Sequence, residues 1–300
     1  MFNFKSDIQF INYFRLFNFV SLILILISVG FIFYKGLNFG VDFKGGTLIE
    51  LRVENTEIGI GDVRQSFIKM NLGDVNVKKF GKGNDYLIKF EQTDKNKENF
   101  IENIKTKLSK NLAGNFSFRR VENVGPKVSG ELLKSGLIAI VLSLSAMLIY
   151  IWIRFEWQFS LGAIIALIHD VIITIGFFSI LEFEINLSIV AAVLTIVGYS
   201  MNDTVVIFDR VRENLKKYSS KTINEISNLS INETLSRTII TSSTTLLALL
   251  SIFFFGGKIL HGFSFAMILG VVFGTYSSIF IANPILIKLK VNQKSVLKGE

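Results

Sequence analysis

Apolar residues in this chain gather into six long runs, at 16–34, 135–153, 159–181, 188–208, 238–255 and 263–287. Each approaches or exceeds the ~20 residues that a helix needs to cross a hydrocarbon core. The pattern therefore predicts a polytopic α-helical membrane protein with six transmembrane helices. The first run is too long for the apolar region of a signal peptide, and no A-x-A cleavage pattern follows it, so we read it as an uncleaved anchor. Tails of 1–15 and 288–300 remain outside the spans.

Residues 35–134 carry a different rhythm. "TLIELRVE" (47–54) reads as a strand, and "IGDVRQSFIKM" (60–70) as a helix with Val63, Phe67 and Met70 on one face. "DVNVKKF" (74–80) and "DYLIKFEQ" (85–92) alternate like paired strands around the turn "GKGN". Residues 97–112 repeat apolar positions at Phe100, Ile101, Ile104, Leu108 and Leu112, a helical stripe, and 115–124 reads as a last strand. The order β-α-β-β-α-β predicts one ferredoxin-like α+β domain between the first two spans. Such a domain is as readily a spacer as a site.

The spans are not uniformly apolar. "GYSMNDTVVIFDR" (198–210) places Asn202 and Asp203 side by side near the end of the fourth. An ionised Asp at the centre of a membrane helix costs about 2.5–3.5 kcal/mol, and each Leu, Ile, Val or Phe returns only about 0.3–0.6. Thr195, Tyr199, Asn202, Val206 and Asp209 share a face there, with Asp203 at its edge. Arg237, Thr241, Thr244, Thr245 and Ala248 share a face of the fifth span, and Gly162, Ala166, His169, Asp170 and Ile173 one of the third. Asp203 lies roughly 7–8 Å inside the nearer end of its span, at 1.5 Å per residue. Arg237 opens the fifth span from that same side, so the pattern predicts a partnership of the two. One reading is an ion pair that only locks two helices. The other is a proton relay: burial disfavours a charged carboxylate and a nearby guanidinium favours it, so a change in their separation moves a proton. His169 and Asp170 are a packed hydrogen-bonded pair or a secondary relay. Asp209 and Arg210 read as interfacial anchors, and "GVVFG" (270–274) as a helix-packing step.

Composition agrees with a membrane protein: of 300 residues half are hydrophobic, 29 are Phe and only two are Pro. The formal charge of +8 does not point to nucleic acid, because the excess sits in short segments beside the spans. Lys5, Arg15, Arg154, Arg210, Arg212, Lys216, Lys217, Lys221, Arg237 and Lys288 fall on one side and only Lys258 in the short loops of the other, which places both termini in the cytoplasm. There is no Cys, and there are only two His, so neither thiol chemistry nor a metal centre is expected. No nucleophile–base pair or phosphate loop is present, so no enzyme and no cofactor is expected beyond protons as coupling ion.

Five blocks then carry a resemblance. "GVDFKGGT" (40–47), "VENVGPKVSGELLKSG" (121–136), "HDVIITIGFF" (169–178), "VGYSMNDTVVIFDRVREN" (197–214) and "ETLSRTIITSSTTLLALLSIFFFGG" (233–257) resemble, in order, blocks of the SecD/SecF family of bacterial protein-export proteins. The resemblance, which covers nearly the whole chain, implies a six-span half of a pseudo-symmetric transporter core of the resistance-nodulation-division type. It implies an obligate SecD half, and as further partners the SecYEG channel, the SecA ATPase, YajC, YidC and the unfolded secretory polypeptide. It places the chain in the bacterial inner membrane, drawing on the proton gradient after SecA has acted. It puts the family's membrane-embedded acid on Asp203 and its essential arginine on Arg237, with Asn202 beside them. Two other functions stay open on the residues: a small-molecule efflux half-transporter of the same fold, against which the small external domain argues, and a non-transporting scaffold. The Gly45–Gly46 pair is either a turn into the first strand or a hinge between domain and bundle.

Overall fold

The computed structural model describes residues 8–55, 57–79, 83–91, 100–112, 115–293 and 296. The chain forms two compact units, one of residues 39–135 and one of the remainder. In chain order the elements are α1 (Ile11–Lys35), α2 (Val41–Lys44), β1 (Gly46–Val53), α3 (Ile60–Ile68), β2 (Val75–Lys79), β3 (Asp85–Phe90), α4 (Phe100–Asn111), β4 (Phe116–Val124), α5 (Pro126–Arg154), α6 (Trp157–Leu181), α7 (Leu187–Lys217), α8 (Ile223–Phe255), α9 (Lys258–Ser277) and α10 (Asn283–Lys288). A π-helical turn, Ser278–Ala282, joins the last two.

The smaller unit has the expected βαββαβ order. Its four strands are antiparallel in the order β2-β3-β1-β4, which is the ferredoxin-like arrangement. Alternation does the sorting: Tyr86, Ile88 and Phe90 on β3, and Ile49, Leu51 and Val53 on β1, turn inward. Val63 and Phe67 of α3, and Phe100, Ile104 and Leu108 of α4, supply the covering face, so the helical stripes read from the sequence close the core. Arg52 pairs with Asp85 directly across β1 and β3, its Nε 2.7 Å and its Nη2 2.8 Å from the carboxylate. The expected strand ends at 80 and 92, the helix start at 97–99 and part of the turn at 81–84 lie outside the described residues.

The larger unit holds six helices long and apolar enough to cross a membrane. In their most apolar windows α6, α7 and the last span are 50 %, 50 % and 56 % buried within the chain, against 11 % for α1 and α5 and 17 % for α8. The first three therefore form the centre. Close approach of α7 and α9 depends on glycine: a Cβ on Gly270 would sit 2.2 Å from Ile196, and one on Gly274 2.9 Å from Ser200. The "GVVFG" step is thus a packing site between helices, as small residues at such spacing allow.

Three helices outrun their apolar cores by two turns or more; α5 begins at Pro126 instead of 135, taking in residues expected to belong to the external domain. α7 continues to Lys217, beyond the expected end at 208, because its charges find partners: Asp209 with Arg154 at 3.2 Å, and Arg210 with Glu213 at 2.8 Å and Glu233 at 2.7 Å. α8 begins at Ile223 instead of 238. Thr222 and Glu225 form a reciprocal capping box there. Its first four turns bury Ser227, Asn228 and Ser230 against protein, which a hydropathy run cannot register. The Asn228 Oδ1 accepts from the Phe10 amide at 2.8 Å, tying the segment before α1 to the same end of the bundle.

Candidate functional site

Asp203 lies on the inward side of α7 and is 3 % exposed. Its Oδ2 accepts from Ser242 Oγ of α8 at 3.4 Å and Thr275 Oγ1 of α9 at 3.3 Å, while the two hydroxyls lie 2.7 Å apart. The hydroxyls engage each other more closely than they engage the carboxylate, so Asp203 is loosely held. Arg237 does not close on it. The guanidinium is exposed on α8, and among the described residues it acts on Asp203 through space, without a hydrogen bond or ion pair. The expected partnership is therefore not a direct contact in this conformation.

The stripes explain why. Thr195 and Asn202 of α7 are exposed and Tyr199 and Val206 half-buried, as Arg237, Thr244 and Ala248 of α8 are exposed and Thr241 and Thr245 half-buried. The shared faces read from the sequence are thus the open side of α7 and α8, and the carboxylate at their edge turns the other way. Along that open side the hydroxyls of Thr195, Thr241, Thr244 and Thr245 bond carbonyls of their own helices at 2.8–3.0 Å, which lets them stand in apolar surroundings. Tyr199 reaches from α7 to the Thr241 carbonyl at 3.4 Å. Asn202 and Arg237, for which no such bond is found among the described residues, are exposed.

The third-span stripe is different: Gly162, Ala166, His169, Asp170 and Ile173 are all buried. Asp170 is fully buried and tightly held. Its Oδ1 meets His169 Nδ1 at 2.9 Å, and its Oδ2 accepts from Ser200 at 2.6 Å and Ser277 at 2.8 Å. The hydroxyl partners of both carboxylates were not singled out from the sequence. The run "TYSS" at 275–278, a cluster of hydroxyls in a largely apolar span, was the available signal for Thr275 and Ser277. The π turn after it was also unforeseen; Pro284, which lacks an amide donor, marks the place where the α-helical ladder is interrupted.

Gly45 and Gly46 adopt φ of 78° and 111°. A Cβ on Gly46 would lie 2.7 Å from the Phe90 carbonyl oxygen, and one on Gly45 3.3 Å from Pro126 Cα. Both are glycine because the first strand of the sheet needs them locally, through positive φ and close backbone approach. Asp42 and Lys44 before them belong to α2, a single helical turn.

Residues 104–292 match the family described as protein export membrane protein SecD/SecF, C-terminal, and residues 30–57 match the SecD/SecF GG motif. The chain belongs to the SecD/SecF family. Among curated relatives it is 49 % identical over 283 residues to the protein translocase subunit SecF of Rickettsia bellii, covering 94 % of this chain and 93 % of that one. Against the protein of the same name from Rickettsia prowazekii it is 46 % identical over 302 residues, covering 99 % and 96 %. Its fold is similar to that of SecDF, a translocon-associated membrane protein from Thermus thermophilus, with a TM-score of 0.87 and 32 % identity over 97 % of this chain. A structure of SecDF in a super-membrane-facing form matches with a TM-score of 0.70 at 33 % identity. The chain spans 40 % of the length of each of those solved chains. Within the SecD/SecF family, the GG-motif match covers Gly45 and Gly46, and the C-terminal match covers both buried carboxylates.

Proposed function

We propose that the chain is the SecF half of a proton-driven motor that pairs with a SecD half and completes protein export. The motor draws unfolded secretory polypeptides outward through the SecYEG channel after SecA has acted. The chain sits in the inner membrane with both termini in the cytoplasm, since Lys and Arg concentrate on that side of the spans. The curated relatives over almost the full chain are translocase subunits of this name, which favours export over small-molecule efflux.

The observation that carries the mechanism is the state of Asp203. A carboxyl buried inside a span, held only by two long hydroxyl contacts, is a poor structural anchor and a good exchangeable group. Arg237 stands exposed on α8, with no hydrogen bond or ion pair to Asp203 among the described residues. An approach of Arg237 favours the ionised carboxylate, and its withdrawal favours the protonated one. One proton falling through 100 mV delivers about 2.3 kcal/mol, enough to bias a two-state change more than tenfold. The open polar side of α7 and α8, with Asn202 and Arg237 facing outward, is the surface on which a second six-span half completes the relay.

The test is export into inverted vesicles that contain the chain with its SecD half, measured with and without a proton gradient. Asp203→Asn keeps shape but not the proton, and it loses the gradient-dependent part of export. Unchanged stimulation by the gradient would leave a scaffold as the better reading.

A further inference from the structure

We propose that His169 and Asp170 form a second proton-binding site in the bundle, separate from Asp203, with His169 Nε2 as the atom that takes the proton. The inference rests on the proton-driven reading above.

His169 is 2 % exposed, and its Nε2 is buried with no hydrogen-bond partner among the described residues. Buried polar atoms almost always have a partner, and one without a partner calls for a specific explanation, such as a bound water or a proton-transfer role. The chemistry of that atom follows from its neighbour. Asp170 Oδ2 is occupied by two hydroxyl donors, Ser200 and Ser277, and Oδ1 faces His169 Nδ1. In the proposed resting state Asp170 is ionised; a carboxylate only accepts, so in that state Nδ1 carries the hydrogen and Nε2 keeps a free lone pair. The pair then bears a net charge of −1 in a fully buried place, a costly arrangement. A proton added at Nε2 turns the imidazole into an imidazolium, and the pair becomes neutral overall. No bond other than N–H is made and no other group is consumed.

The groups that face the pair leave it this role. From α9 the Tyr276 ring lies flat against the imidazole, 5.9 Å away at 22°. The Tyr276 hydroxyl is already spent, donating to the Phe17 carbonyl at 2.7 Å beside Ser21 of α1, also at 2.7 Å. α7 contributes Ser200, and α9 contributes Ser277, neither of them charged at neutral pH. Among the described residues His169 is the charged-capable group that acts on Asp170.

The site is also wired to the first one. Ser277 holds Asp170 while Thr275, two residues earlier on α9, holds Asp203. Ser200 holds Asp170 from α7, three residues before Asp203 itself. The π turn begins at Ser278, whose hydroxyl contacts Thr204 at 2.8 Å. A proton taken at His169 or at Asp203 therefore acts on the same stretches of α7 and α9, and π turns are places where such helices adjust.

The chain has two histidines, so 15N-histidine labelling gives a two-residue spectrum. The experiment records nitrogen NMR of the labelled full chain, assembled with its SecD half in liposomes, over pH 4–9 (about two units around the ordinary imidazole range). His169→Asn identifies the His169 signals. The proposal expects Nδ1 to stay protonated while Nε2 titrates, and Asp203→Asn to move that titration. An Nε2 in one unchanging state throughout would overturn it. His169→Asn also serves as the functional arm, because its amide reproduces the Nδ1–H donor to Asp170 but offers no proton site. Gradient-stimulated export should fall roughly tenfold or more, with assembly intact. Normal export in His169→Asn alone would overturn the second site. Normal export in Asp203→Asn would instead overturn the reading of the first.

Discussion

Asp170 and Asp203 are both buried carboxylates in spans of one bundle, yet they are held in opposite ways. Asp170 has three donors at 2.6–2.9 Å, one of them an imidazole. Asp203 has two, at 3.3 and 3.4 Å, which are closer to each other than to it. The difference lies in their helices. Asp170 sits on α6, at the centre, where α7 and α9 approach through Gly274 and bring serines from both sides. Asp203 faces α8, which is the less buried neighbour and whose Arg237 is exposed, without a direct contact to it among the described residues. A tightly satisfied carboxylate gives the bundle its arrangement, and a loosely satisfied one is free to change state.

The comparison can be broken first by removing each carboxylate. Asp170→Leu leaves the imidazole and Ser200 without this acceptor and Ser277 with only the Gly274 carbonyl at 3.2 Å, and orphaned groups cost about 1–3 kcal/mol each in soluble proteins and less in membranes. Asp203→Leu leaves Ser242 and Thr275 bonded to each other. Reversible unfolding in mixed micelles should therefore show Asp170→Leu less stable than Asp203→Leu by about 2 kcal/mol or more; equal losses would remove the distinction. A smaller effect is expected at Tyr276→Phe, which deletes the hydroxyl tie from α9 to Phe17 and Ser21 of α1. A loss of about 1 kcal/mol in the same assay fits that tie, within the usual range of one net hydrogen bond. The smallest belongs to Ser242→Ala, since its contact with Asp203 is long and Thr275, on losing its 2.7 Å contact with Ser242, keeps Asp203 as an acceptor. A change of only a few tenths of a kcal/mol is expected, near the average for hydrogen bonds in membrane proteins. Destabilisation as large as that of Ser200→Ala would show that Asp203 is held more firmly than its distances indicate.

Much of this was legible in the sequence. Six apolar runs and the βαββαβ alternation gave the fold, because hydropathy and period report directly on burial in lipid and in a small core. The ends of α7 and α8 were less legible. Asp209 pairs with Arg154, Arg210 pairs with Glu233, and Ser227 and Asn228 pack inside, so helix continues where apolarity stops. Asp203, Arg237, His169 and Asp170 stood out as ionisable groups in apolar runs. Their partners did not, since Ser200, Ser242, Thr275 and Ser277 look like ordinary small residues of a span and gain meaning only from neighbours distant in the chain. The expectation that Asp203 touches Arg237 relied on helical spacing within single spans. Spacing cannot show how α8 is rotated against α7, and that rotation leaves the arginine outside.

The most direct measurement of proton coupling is gradient-stimulated translocation in vesicles bearing Asp203→Asn and Arg237→Met together. If the two residues were helix glue, replacing one would strand the other and replacing both would restore the unmodified behaviour. A relay behaves otherwise: the doubly substituted chain assembles with its SecD half, exports at the basal rate, and gains nothing from the gradient. Recovery of stimulation to the unmodified level would contradict the account.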